Sequence, residues 1–453
     1  MQDGTNCQFI MIHMFMIQGF IFRLIRRIYH LVRADRVFSF FSQIKTVLAI
    51  PLIRKNYENV ISRLRMDARK RKLRVLFLVN DSSKWKAQSV YDALASDGYD
   101  VEIAISLYGW NDDLRKAEVE AEKTYLFFER CGMSVSYAYS FETHSPIPLS
   151  VFRPDFVFYN QPWDIFPCHA PRVVSRYALT LYSSYDIPCT RVAARHCMLP
   201  FHRQLYAQFV MNETFGNEVK RFVANRRMAG EIIASGHPSF DRLPHEGRDI
   251  SDETAFVIYA PYWAFPHKNN PNMFDASTFL WTGSVILKYA KSHQNIKWAF
   301  KPHPVLENIL IKSGVMTAEE VDEYYSAWEQ FAECCYTGEY PTLFAKSRVL
   351  ITDCMSFLTE YACTSNPVIH LISKQSKVEF SSVANSLIGT YYKVDDLQSL
   401  ESVFETLLSR KEDPQKEARH EMVEKLNLNA GFSASTNILN YINGLLCMTN
   451  KTK

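Results

Sequence analysis

Short, unbroken apolar runs, each followed by a polar turn and then a helical pattern, constrain this chain most. Residues 74–79 (RVLFLV) leave a charged stretch as six residues with almost no polar interruption, the pattern of a strand buried on both faces of a parallel sheet. A polar turn at 80–84 follows, then a helical pattern over about 85–96 that stops at Gly98, and a strand at 101–105. The spacing predicts a long helix over 113–131, strands at 135–138, 156–159, 209–211 and 231–234, and a helix over 218–228. Residues 242–254 (RLPHEGRDISDET) are polar and carry Pro244 and Gly247, which marks a boundary. The alternation then restarts. Strands are expected at 255–260, 296–300, 347–351 and 367–371, and helices at 277–292, 317–333, 341–345, 356–363, 397–410, 415–426 and 435–446. Strands alternating with helices imply a parallel, doubly wound sheet, here twice. Two such Rossmann-like α/β domains facing each other put a site in the cleft between them, at the carboxyl ends of their strands.

The division that follows is residues 1–72 as a basic appendage, 73–245 as a first domain, 246–430 as a second, and 431–453 as a terminal helix and tail. Charge supports the first cut. Residues 1–74 hold 15 Lys and Arg against Asp3, Asp35, Glu58 and Asp67, a net of +11, which leaves −8 for the remainder of a chain whose total is +3. The stretch 9–25 is apolar but is broken by His13, Gln18, Gly19 and Arg23, and it is short for a membrane span. Over 20–34, Arg23, Arg26, Arg27, His30 and Arg33 recur at helical spacing opposite Ile21, Leu24, Ile25, Ile28, Leu31 and Val32. That amphipathic pattern, with the later 69–72 cluster (RKRK), points to an anionic membrane surface at the cytoplasmic face of the cell membrane. A helix packed on the body with a solvated basic face is the bland alternative. No nucleic-acid-binding fold is recognisable and the body is acidic, so nucleic acid is not expected. The ten cysteines show no CxxC or other metal-spaced pair, which implies a reduced protein without a disulfide framework, a zinc site or another metal.

Gly makes up only 15 of 453 residues, so a phosphate site cannot rest on a long Gly-rich loop. Four strand-end segments remain. In 259–263 (YAPYW) a Pro-stopped turn carries aromatic groups that could stack on a base or cover the core. In 301–304 (KPHP) two prolines fix the backbone around His303, and Lys301 adds a cation; His303 can donate to a phosphate or act as acid and base near neutral pH, or be satisfied by backbone. In 352–356 (TDCMS) a strand runs into a helix start whose N–H groups and dipole suit a diphosphate, with Glu360 one turn on to accept from ribose hydroxyls; Asp353 and Ser356 are equally good N-caps. Residues 235–241 (SGHPSFD) close the first domain as a crossover turn.

In order and spacing, these segments resemble the CDP-glycerol glycerophosphotransferase family, the teichoic-acid type polymerases and primases, over about residues 150–410. The family's YAPTW is similar to 259–263, with Tyr262 in place of Thr; its (R/K)xH to 301–303; its TDYSS with a following acid and Tyr-Ala to 352–356 with Glu360, Tyr361 and Ala362; and its Gly-x-Pro-x-x-Asp to 236–241. Met355 stands where the family has the first Ser, and its first-domain His-Gly-x-Pro has no clear counterpart, the nearest region being 185–188 (YDIP) through His196 and His202.

The resemblance implies a GT-B-like fold and transfer of glycerol phosphate, or another polyol phosphate, from a CDP-alcohol to a hydroxyl of a lipid-linked or polysaccharide acceptor, with release of CMP. It implies His303 and His196 as catalytic residues, His202 being second choice for the first-domain base. It places Tyr259, Pro261, Trp263, Lys301, Thr352, Asp353, Ser356 and Glu360 on the CDP-polyol donor, with no cofactor. Two other readings stand beside it: a GT-B glycosyltransferase using a nucleotide sugar for capsule or lipopolysaccharide, and a catalytically silent scaffold at the membrane.

Overall fold

The computed structural model describes residues 34–447 except 112, 224–226, 245–246, 269, 272, 274, 337–339 and 429–430; for 34–44 only the backbone is described. The apolar stretch 9–25 and nearly all of the amphipathic stretch 20–34 lie outside the described residues.

The first sheet has seven parallel strands: β1 (Arg74–Val79), β2 (Asp100–Ile105), β3 (Val135–Tyr137), β6 (Phe156–Tyr159), β7 (Leu179–Ser183), β8 (Ala207–Val210) and β9 (Glu231–Ala234), with a small hairpin of β4 (Tyr139–Ser140) and β5 (Ser145–Pro146) beside it. Their order is β3-β2-β1-β6-β7-β8-β9. The second sheet has six: β10 (Phe256–Ala260), β11 (Trp298–Phe300), β12 (Glu333–Cys334), β13 (Ser347–Thr352), β14 (Val368–Leu371) and β15 (Tyr392–Val394), in the order β12-β11-β10-β13-β14-β15. Every ladder in both large sheets is parallel. The expected pair of doubly wound sheets is therefore present, and each winds outward from its first strand and then reverses.

Several boundaries differ from expectation. β7 is absent from the sequence reading because its LTLYS alternates polar and apolar residues; Thr180 is nonetheless buried, and its hydroxyl is paired with that of Tyr57. The helix expected over 218–228 runs over Glu213–Val223, where Asn212 Oδ1 accepts from Phe215 N at 2.9 Å and caps it. The helix expected over 317–333 ends at Glu329, since the edge strand β12 claims the residues beyond. The segment 397–410 is helical to Phe404 and then widens into a π turn.

The described part of the basic segment packs on the first domain. A helix spans Ala34–Asp67, and Ile53, Tyr57, Val60 and Leu64, at three- and four-residue steps, join the core that holds Val75, Phe77 and Phe158. The outer face exposes Val47, Leu48 and Leu52 near Lys45, Arg54 and Lys55. At the other end, the helix Ala434–Cys447 returns from the second domain and sets Ile438, Ile442 and Leu445 into that same core. Asp241 caps it, accepting from Ala434 N at 2.7 Å and Ser435 N at 2.9 Å.

The domains meet along a bonded seam. Thr190 bridges Phe380 in antiparallel fashion, Arg191 N donates to Glu379 O and Ser381 N to Cys189 O, both at 2.8 Å. Glu218 accepts from Ser382 N at 2.7 Å and from its hydroxyl at 2.6 Å, holding a helix start of the other domain. One apolar cluster runs through the seam, from Val210, Met211 and Phe215 to Leu350, Phe357 and Leu358.

Candidate functional site

The order of each sheet fixes where a ligand can sit. β10 lies between β11 and β13, so the chain connections leave in opposite directions on its two sides and open a crevice at its carboxyl end. The turn 261–263 closes β10 there, and Asp353 directly follows β13.

Much of this neighbourhood is scaffold. Asp353 is buried and accepts from Tyr262 N at 2.6 Å, Thr278 N at 2.5 Å and Thr278 Oγ1 at 2.9 Å. Burial pushes its carboxyl pKa up, against the pull of these bonds. Thr352 donates to Ala260 O at 2.7 Å and accepts from Cys354 N at 2.9 Å. Tyr259 is in the core, its hydroxyl paired with Thr282 Oγ1 at 3.1 Å and its ring stacked on Phe300. Pro261 lends its carbonyl to His303 N at 3.0 Å. The donor contacts expected of Tyr259, Thr352 and Asp353 are thus displaced: their polar atoms are engaged by the protein, and they set the shape of the turn rather than face the crevice.

His303, Trp263, Lys301 and Ser356 remain. His303 is half-buried, edge-on to Tyr262 at 5.2 Å and near Trp263 at 6.0 Å. Its Nδ1 accepts from Val305 N at 3.2 Å, which assigns the proton of the neutral ring to Nε2. Burial, and secondly the Lys301 charge, push its pKa down to about 4, so at neutral pH it is an uncharged donor. It lines a cavity of ≈ 500 Å³ with Glu307, Tyr325 and Tyr336. Trp263 packs on the Phe265 and Phe279 cluster.

Lys301 is the unusual group. It is 4% exposed, its ammonium reaches only Pro302 O at 3.4 Å, and it makes no ion pair among the described residues. Burial lowers its pKa. Glu360, the carboxylate whose charge acts on it, is itself buried and accepts from the Tyr340 hydroxyl. Burial raises the Glu360 pKa, opposed by the charges of Lys86 and Lys301. Lys86 comes from the first domain, and its ammonium lies 5.4 Å from the Tyr340 ring centre, across the cleft. Neither Lys86 nor Tyr340 was foreseen: one sits in a polar turn and the other before a five-residue helix, and no spacing links them.

Ser356 is half-buried, with Oγ 3.7 Å from Cys354 Sγ. The helix expected over 356–363 is α-helical only over Phe357–Glu360 and tightens to 3₁₀ over Tyr361–Thr364. A single α turn has little macrodipole, so the charge for a diphosphate falls on Lys301 and Lys86 rather than on a helix end.

In the first domain, His196 ends the helix Arg191–His196, half-buried and edge-on to Trp163 at 5.1 Å. His202 is buried, and its Nδ1 pairs with Gln208 Oε1 at 3.0 Å, which leaves Nε2 as a bare acceptor; its pKa is pushed down to about 4 by burial. Both line a cavity of ≈ 50 Å³, enough for water and too small for a sugar. Asp186 lines it too, and its charge acts on His196 and on Glu360, which ties this cluster to the second-domain crevice. His237 is occupied at both nitrogens, by Ser184 O and Ser239 N. No cluster of His, Cys, Asp and Glu among the described residues has the arrangement of a metal site, and no described helix is long and apolar enough to cross a membrane.

No protein-family model and no curated protein sequence matches the chain. Solved structures do match in fold. The UDP-GlcNAc 2-epimerase of Neisseria meningitidis, bound to UDP-GlcNAc, superposes with a TM-score of 0.52 at 11% identity, over 83% of this chain and 100% of that one. MnaA of S. aureus with UDP gives 0.51 at 10%, over 84% and 99%. The wall teichoic acid polymerase TagF gives 0.52 at 13%, over 92% and 99%. The fold is GT-B-like, as the motif resemblance implied, and the teichoic-acid polymerase is among the structures that share it.

Proposed function

We propose that this chain is a GT-B-type enzyme acting on a nucleotide-linked donor, and that it transfers glycerol phosphate or another polyol phosphate from a CDP-alcohol to a hydroxyl of a lipid-linked or polysaccharide acceptor. The observation that carries the reading is Lys301: a buried ammonium without an ion pair is costly unless an anion completes it, and its place at the end of β11, beside the Nε2 donor of His303, suits a diphosphate. The acceptor oxygen attacks the β-phosphorus, the bond to the CMP oxygen breaks, and the acceptor proton passes to the first domain, to His196 at the rim of its cavity. Lys301 and His303 offset the charge gathering on the departing CMP, and Lys86 approaches from the opposite wall. Catalysis of this kind is mostly positioning and charge stabilisation.

CMP release tests the reading with purified full-length chain, CDP-glycerol, CDP-ribitol and UDP-GlcNAc, and membrane extract as acceptor. CMP formed from one CDP-alcohol supports it. Turnover of UDP-GlcNAc alone would favour the nucleotide-sugar alternative, to which the fold shared with UDP-binding proteins lends weight.

The acceptor reading includes an anionic membrane surface at the cytoplasmic face. The exposed Val47, Leu48 and Leu52, near Lys45, Arg54 and Lys55, support it with an apolar face beside basic groups. Co-sedimentation with vesicles containing phosphatidylglycerol, compared with neutral vesicles, is the check; equal partition to both would sink it.

A further inference from the structure

We infer that the carboxyl edge of the first sheet is a seat for a neutral, hydroxyl-rich ligand, and, resting on the reading above, that this ligand is the sugar or polyol end of the acceptor. β1 lies between β2 and β6, with Val79 opposite Ile105 and Leu78 opposite Tyr159. The residues that continue these three strands are Asn80, Ser106, and Asn160 with Gln161, and all four are buried.

Their amide nitrogens are engaged. Asn80 Nδ2 donates to Leu107 O at 2.9 Å and Asp164 O at 3.3 Å, Asn160 Nδ2 to Lys84 O at 3.4 Å, and Gln161 Nε2 to Trp163 O at 3.2 Å. Each of these partners is a backbone carbonyl, which can only accept, so turning any of the amides over would set oxygen against oxygen. The carboxamide oxygens therefore point the other way. Asn80 Oδ1, Asn160 Oδ1, Gln161 Oε1 and Ser106 Oγ have no hydrogen-bond partner, and neither does Trp110 Nε1 in the loop after β2.

Buried polar atoms in folded proteins are nearly always paired. These four oxygens sit on the ends of three adjacent strands, where the strand order reverses and ligands of doubly wound sheets bind. By alternation, Asn80, Ser106 and Gln161 continue the side of Leu78, Ala104 and Tyr159, so three of the four share a face. The chemistry selects the ligand. A phosphate would meet lone pairs, and an ammonium or metal ion would find no carboxylate among these residues. Hydroxyls fit, since each donates to a carboxamide oxygen and can accept from Ser106.

Calorimetry on the full-length chain tests the seat with glycerol, N-acetylglucosamine and inorganic phosphate, in parallel with CMP. Binding of a neutral polyhydroxyl probe, weakened at least tenfold by Gln161→Met and by Ser106→Val with CMP binding unchanged, is the expected result. The melting temperature of each variant separates loss of the seat from loss of the fold. Unaltered probe binding in a folded variant, or binding of phosphate but of neither neutral probe, would overturn the inference. Probe binding through Gln161 without any binding of CMP would sink the donor reading and leave the seat in place.

Discussion

The two sheets share a strand order and differ in what stands at the reversal point. In the second, a carboxylate follows the strand and the protein saturates it: Asp353 holds Tyr262 and Thr278, while nearby the Lys301 ammonium reaches Pro302 O and makes no ion pair among the described residues, and His303 keeps its proton on Nε2. In the first, the strands end in carboxamides and a serine, and the groups left unengaged are neutral oxygens. One backbone arrangement thus supports a positive crevice and an uncharged one, set by a few residues past the strand ends. On the proposed reading, the seam that joins the domains sets a charged wall against a neutral one.

The contrast can be broken most directly at Lys301. Lys301→Met should lower CMP release by about 100- to 1000-fold, the scale of losing a preorganised donor to developing charge. The melting temperature should hold or rise, because an uncompensated buried charge is removed. A collapse of folding would make Lys301 scaffold like Asp353 and erase the difference. Asp353→Asn should do the reverse, costing about 3 kcal/mol in urea unfolding by setting an NH₂ group against the N–H of either Tyr262 or Thr278; unchanged stability with lost activity would move Asp353 onto the substrate.

Acid should weaken the whole body. The pKa values of His169, His202, His237 and His370 are pushed down to about 4 by burial, against about 6.5 in the unfolded chain. Between these values the unfolded state binds more protons, so stability falls as pH drops from 6.5 toward 4, by on the order of 1–2 kcal/mol per imidazole at pH 5. A urea midpoint flat from pH 7 to 5 would contradict this. The smallest effect is expected at the seam: Glu218→Gln should cost about 1 kcal/mol and reduce transfer more than CMP binding, since it loosens the approach of the two walls. Equal losses in both would show that the seam serves only the donor side.

Much of the architecture was legible from the chain. β1, β6 and β10 are apolar runs with few alternative fates, and their bounds fall within a residue of expectation. β7, β12 and β15 were not read, because a strand with buried Thr180, or an edge of two or three residues, lacks the signal of an apolar run. Trp263, Lys301, His303 and Ser356 follow β10, β11 and β13, at the carboxyl ends of adjacent strands. Tyr259, Thr352 and Asp353 belong to the same edge but face inward, since a motif marks a place and not the direction of its side chains. Lys86 and Tyr340 meet only across the cleft. Asn80 and Asn160 could have been found: each is the first residue past one of the most apolar strands, the position where doubly wound sheets bind ligands.

The returning helix Ala434–Cys447 has a consequence for how the protein is made. Its Ile438, Ile442 and Leu445 complete a core begun by residues 53–79, and Arg65 Nε donates to Leu445 O at 2.8 Å. The first half of the chain therefore leaves the ribosome unable to close its own interior. That apolar surface is covered only once residues 434–447 have been synthesised. Expressing either half alone would isolate an unfinished piece, and a stop codon near residue 430 would damage the beginning of the protein more than its end.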